Sequence, residues 1–134
     1  MTIEQQVEFQ ISSELKNVSL VAVSISAISK QMGFDEMVSY QIETCAVEAI
    51  NNAIIHAYQK QSDKLVRIIC CLSEKQLKLY IIDTGISMPT PIPENPVDSE
   101  QESCRGWFIM KQWMDLVDYS TENGINTVCL TKTL

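Results

Sequence analysis

Glu48, Asn52 and His56 stand four residues apart within the run Glu48-Ala49-Ile50-Asn51-Asn52-Ala53-Ile54-Ile55-His56-Ala57-Tyr58. On a helix that spacing stacks the side chains one above another, so a carboxylate, a carboxamide and an imidazole share one stripe while Val47, Ile50 and Ile54 point elsewhere. Such a stripe can accept a proton and hydrogen-bond a ligand. It can equally be the solvated side of an amphipathic helix, and spacing alone leaves both readings open. Two later signals accompany it: Asp83-Thr84-Gly85 at the end of a β-prone run, and Arg105-Gly106-Trp107-Phe108 at the start of an apolar helical pattern. Taken alone, Asp83-Thr84-Gly85 is an ordinary turn tripeptide. His56 is the single histidine of the chain, and a lone histidine more often has a structural role.

These residues need elements to hold them. Residues 3–11 alternate loosely, with Ile3, Val7, Phe9 and Ile11 apolar, and predict an opening strand. From Leu15 the apolar positions keep a three-and-four spacing through Val18, Ala22, Ile25 and Met32, and Gly33 stands where that helix would close. Asp35 is placed to cap a second helix whose inward face is Val38, Ile42, Val47, Ile50 and Ile54, running to about Tyr58. After a polar turn at 59–63, the branched apolar runs 65–72 and 77–83 flank Ser73-Glu74-Lys75 and predict an antiparallel hairpin. All four prolines fall in 88–96, followed by the acidic stretch 98–102, which predicts one loop of roughly twenty residues, longer than compact domains normally use. A third helix is expected over 106–117. Strands around 117–121 and 127–131, joined across Glu122-Asn123-Gly124, complete the chain. This order predicts an α/β, two-layer sandwich in which helices cover one face of a mixed, mostly antiparallel sheet.

The form E-x-x-x-N-A-x-x-H-A-Y at 48–58 resembles the N-box of the gyrase, heat-shock chaperone, histidine-kinase and mismatch-repair ATPase superfamily, and specifically its anti-sigma-factor serine kinase branch. Asp83-x-Gly85 is similar to the first glycine box and Arg105-Gly106 to the second, so the resemblance spans nearly the whole chain. It implies a Bergerat-type ATPase fold in a single domain, 1–134, with an ATP lid over about 86–105, and it implies ATP and Mg²⁺ as cofactors. Asn52 would be the magnesium ligand through its side-chain carbonyl oxygen, a hard neutral donor suited to Mg²⁺ beside phosphates and water. Glu48 would face the terminal phosphate and take the proton from an attacking serine hydroxyl. His56 would contact a phosphate without itself being phosphorylated. Asp83 would accept from the adenine amino group, with Gly85 letting the chain pass close to the base. Thr127 is similar to a late-strand threonine that supports adenine. Arg105 and Gly106 would bring a cation, backbone N–H groups and the positive helix end to the phosphates. The sequence departs from the family in one place: the usual G-x-G is Cys104-Arg105-Gly106, and a cysteine allows fewer backbone conformations for closing a lid. The resemblance further implies a sigma factor and a small STAS-type antagonist as partners, and a homodimer.

Bulk properties agree with this frame. With 134 residues the chain suits one domain, and 46% hydrophobic with 20% charged residues is the balance of a folding globular protein. The net charge of −7, with no basic stripe, disfavours electrostatic capture of nucleic acid and favours a protein partner. No apolar run nears the roughly 18 residues of a membrane span, so a cytoplasmic location is expected. The five cysteines are odd in number and lack C-x-x-C spacing, which predicts buried free thiols rather than disulfides or zinc. Two functions therefore stand at this stage: an ATP-dependent serine/threonine kinase acting as an anti-sigma factor, and a non-catalytic ATP-binding module that controls a partner by binding.

Overall fold

The computed structural model describes residues 4–88 and 102–134. Strand β1 (Gln5–Ser12) leads through a 3₁₀ turn (Leu15–Asn17) into helix α1 (Val18–Met32). The expected start at Leu15 is thus a tighter turn that feeds the α-helix at Val18. Val18, Val21, Ala22, Ile25 and Ser29 form its buried face, and the helix stops at Gly33, whose φ of 112° is open to glycine at little cost. The N–H of Phe34 then reaches back to the carbonyl of Ser29 at 3.1 Å.

Helix α2 (Glu36–Asn52) begins where Asp35 accepts a hydrogen bond from the Val38 N–H at 2.8 Å, as its position in the sequence predicts. Its face of Ile42, Cys45, Ala46, Ala49 and Ile50 is buried, and Val38 and Val47 pack at the margin of the same core. Strands β2 (Leu65–Leu72) and β3 (Gln76–Asp83) form the expected hairpin. Helix α3 (Glu102–Trp113) is followed by β4 (Leu116–Glu122) and β5 (Ile125–Thr133), which turn at Asn123 and Gly124, both at positive φ.

The sheet order is β1-β2-β3-β5-β4, and every neighbouring pair is antiparallel. The expectation of a mixed sheet is corrected in that respect, since β5 returns from the β4 hairpin to pair antiparallel with β3. The two-layer arrangement holds. Val66, Ile68, Cys70, Leu77, Leu79, Ile81, Val128 and Leu130 are buried at alternating positions and pack with the apolar faces of the helices in one core. Cys45 and Cys70 are free thiols inside it, each pushed up to about 12 by burial. Cys71 and Cys129 are free and half-buried, whereas the side chain of Cys104 lies outside the described residues. No helix among the described residues is long and apolar enough to cross a membrane.

Candidate functional site

Beyond Asn52 the α-helix widens into a π turn (Ala53–Ala57), closed by the Tyr58 N–H donating to the Ala53 carbonyl at 2.9 Å. Single π turns of this kind often mark functional sites. Here the wider turn carries the Ala57 carbonyl to the segment after β3, where it accepts from the Ile86 N–H at 2.8 Å. The two backbones touch at Gly85. A Cβ on that residue would overlap the Ala57 carbonyl oxygen and lie 2.5 Å from its carbon, so only glycine fits.

Tyr58 locks the same junction. Its buried hydroxyl donates to the Leu65 carbonyl at 2.6 Å and accepts from the Thr84 N–H at 2.8 Å, which joins the end of the helical segment to β2 and to the turn after Asp83. Tyr58→Phe leaves both backbone groups without that partner. A loss of about 1–3 kcal/mol in urea unfolding is expected, and an unchanged midpoint would show that solvent replaces the hydroxyl.

Between these elements lies a cavity of about 250 Å³. Asn52 and His56 face it from the helical side, Asp83 from the end of β3, and Trp107 and Tyr119 from the far side. The two rings meet edge to face, with centroids 6.2 Å apart. Met88 completes the lip, its N–H donating to the Tyr119 hydroxyl at 2.8 Å.

Asp83 is only 7% exposed. Burial raises its pKa above the ordinary carboxylate value, and hydrogen bonds from Asn126 and from the Gly85 N–H oppose that rise. Both donors reach the same oxygen: the Gly85 N–H lies 2.9 Å and Asn126 Nδ2 2.7 Å from Oδ1. Among the described residues Oδ2 is left as the acceptor for whatever enters the cavity.

The amide nitrogen of Asn52 is buried and has no hydrogen-bond partner among the described residues. Buried polar groups are nearly always satisfied, so this amide is a candidate contact for a ligand. A half-turn of the amide exchanges nitrogen for carbonyl oxygen at the same point, so the residue also fits a hard cation such as Mg²⁺.

One turn earlier, half-buried Glu48 sets its carboxylate against α3: a Cβ on Gly106 would come within 2.7 Å of Glu48 Oε2. Glycine at 106 therefore makes room for the acid. The charge of Glu48 also contributes to the raised pKa of Cys45, behind the larger effect of burial.

Two expectations are corrected. Arg105 and Gly106 do not open the third helix, because α3 starts at Glu102 and the Gly106 N–H lies inside the helical ladder. Residues 102–104 contain neither proline nor glycine, and the helix extends upstream through them. Arg105 is exposed. Thr127 does not face the cavity. It pairs in register with Ile82 and Ser120, while Asn126 and Val128, its neighbours on β5, turn to the helix-covered face. The polar side chain that β5 delivers to Asp83 is Asn126, which the sequence reading missed. Strict alternation back from buried Leu130 and Val128 would have found it. Of the lid expected over about 86–105, residues 89–101 lie outside the described residues.

Residues 11–132 match the family model described as the histidine kinase-like ATPase domain. The chain belongs to that family. Curated relatives place it in the anti-sigma factor branch of the family. The anti-sigma F factor of Clostridium beijerinckii is 30% identical, over 96% of this chain and 92% of its own. That of Bacillus cereus strain G9842 is 32% identical, over 96% and 92%. The fold agrees with a crystal structure of the RsbU and RsbW domains of a Mycobacterium tuberculosis protein, at a TM-score of 0.71 and 14% identity, covering 96% of this chain and 32% of that one. The histidine kinase domain of an Erythrobacter litoralis blue-light activated histidine kinase aligns at a TM-score of 0.59 and 15% identity, over 90% of this chain and 60% of that one.

Proposed function

We propose that this member of the histidine kinase-like ATPase family binds ATP with Mg²⁺ and phosphorylates a serine or threonine of a small STAS-type antagonist protein, and that it sequesters a sigma factor. The observation that carries the nucleotide reading is the unpartnered buried amide of Asn52, one helical turn from Glu48 and on the same cavity as Asp83. The cavity is somewhat smaller than the roughly 300–1,000 Å³ of sites that enclose a drug-sized ligand, which suits a base held inside with its phosphates directed toward α2 and α3. Asp83 accepts the adenine amino hydrogen, and Trp107 and Tyr119 supply the apolar wall. Asn52 would hold the metal ion, whose chemistry is to neutralise charge on the phosphate oxygens. In the transfer itself, the serine oxygen attacks the γ-phosphorus, ADP leaves, and Glu48 takes the hydroxyl proton. The sigma factor comes from the names of the anti-sigma F factor relatives, and the antagonist from the resemblance of 48–58 to the serine kinase branch.

Titration of Mg-ATP into the wild type and Asn52→Ala tests this site. A loss of at least tenfold in affinity is expected when a group that completes a metal and phosphate site is removed, as about 1.4 kcal/mol corresponds to tenfold. Equal binding would reject the assignment of Asn52. The second reading, a module that binds ATP without transferring phosphate, is favoured by one observation: α3 already runs through Arg105 and Gly106, so their amides are spent in the helix rather than offered to phosphate. Binding of ATP with no label transferred to any cognate antagonist would decide for it.

A further inference from the structure

Asn126 is 1% exposed and sits at the centre of a hydrogen-bond chain that includes the base acceptor. Its Nδ2 donates to Asp83 Oδ1 at 2.7 Å and to the Gly85 carbonyl at 3.0 Å. Its Oδ1 accepts from the Ser87 hydroxyl at 2.8 Å. Because Ser87 donates there, the 2.8 Å contact between the Ser87 and Thr121 hydroxyls must have Thr121 as its donor. The sense of the chain is therefore fixed from Thr121 through Ser87 and Asn126 to Asp83. Turning the Asn126 amide over would set its oxygen against two acceptors, Asp83 Oδ1 and the Gly85 carbonyl, so the orientation has one chemically consistent choice.

We infer that Asn126 is the positioning residue for base specificity: by saturating Oδ1 of Asp83 from one side while the Gly85 N–H does so from the other, it turns Oδ2 toward the cavity as a fixed acceptor for an exocyclic amino group. The inference rests on the nucleotide reading above and goes beyond it, because it locates the selection for a 6-amino over a 6-oxo purine in the partner of Asp83 as well as in Asp83 itself. A carboxylate free to rotate can meet a purine with either oxygen or withdraw from it, whereas one held by two donors presents a single acceptor in a single place. An ionised acceptor set there attracts the amino group of ATP and repels the carbonyl of inosine triphosphate. Asn126 touches neither base nor phosphate in this scheme and acts only through Asp83.

The test is equilibrium binding of Mg-ATP and Mg-inosine triphosphate to the full chain, in the wild type, in Asn126→Leu, which keeps nearly the same shape without donors, and in Asn126→Ser, which keeps one donor. The wild type is expected to prefer ATP. In the leucine variant that preference should fall by about tenfold, the scale of one charge-assisted hydrogen bond, with the serine variant between. A purely structural role would weaken both nucleotides in proportion and leave their ratio unchanged. If the leucine variant does not fold, the serine variant alone decides by the same ratio. A ratio equal to the wild type in any folded variant overturns the inference while leaving ATP binding intact; a wild type that binds neither nucleotide overturns the nucleotide reading and the inference with it.

Discussion

Glu48→Gln is expected to lower phosphate transfer from ATP to a serine-bearing antagonist by about 10²–10⁴-fold, the usual contribution of a positioned general base, while ATP affinity changes little. The substitution keeps the shape and removes the negative charge and with it the ability to take a proton. The contact with α3 matters for the design of the experiment. Glu48 Oε2 lies where a Cβ on residue 106 would stand within 2.7 Å of it, so truncation to alanine would open space between α2 and α3 and confuse packing with chemistry. Glutamine avoids this. Single-turnover transfer of labelled phosphate with saturating Mg-ATP isolates the step, and transfer at the wild-type rate would remove Glu48 from the role of base. A fall in affinity equal to the fall in rate would place Glu48 in binding instead.

Gly85→Ala should be the most destabilising single-methyl change near the site. The added Cβ would overlap the Ala57 carbonyl oxygen and lie 2.5 Å from the carbonyl carbon and 2.9 Å from the Ala57 Cβ. The first two are backbone atoms held by the Ile86 N–H to Ala57 carbonyl bond, and a Cβ has no rotamer, so no side-chain rotation can relieve the overlap. A loss of about 3 kcal/mol is expected, the upper part of the range for overpacking, and urea unfolding would measure it. ATP binding should weaken beyond what unfolding explains, because the displaced π turn carries His56 and adjoins Asn52, both of which line the cavity. A variant as stable as the wild type would mean that the two segments are not held together as tightly as their backbones suggest.

Much of the architecture was legible in local chemistry. The Asp35 cap, the Gly33 stop, the three-and-four spacing of α1 and α2 and the branched apolar runs on either side of Ser73-Glu74-Lys75 are each properties of a few neighbouring residues, and each produced the element it predicts. Where α3 begins was not legible, because Glu102 to Cys104 carry no helix-start signal that separates them from the polar stretch before them. The π turn escaped notice for a similar reason: the apolar spacing of Ile50 and Ile54 fits an α-helix equally well, and the widening is set by the contact with Gly85 some thirty residues later.

The sequence by itself determined the family, the stripe that begins with Glu48 and Asn52, and the presence of Asp83 and Gly85 at a strand end, since all of these are patterns of residue type at short spacing. Only the tertiary structure decided that Asn126 rather than Thr127 serves Asp83, that Gly106 is small to admit the carboxylate of Glu48, and that Tyr58 ties the helix to the turn beyond β3. The physical reason is the same in each case. The pairing register of β3 with β5 and the packing of α2 on α3 bring together residues distant in the chain, and the face each side chain takes follows from that register and not from its neighbours in sequence.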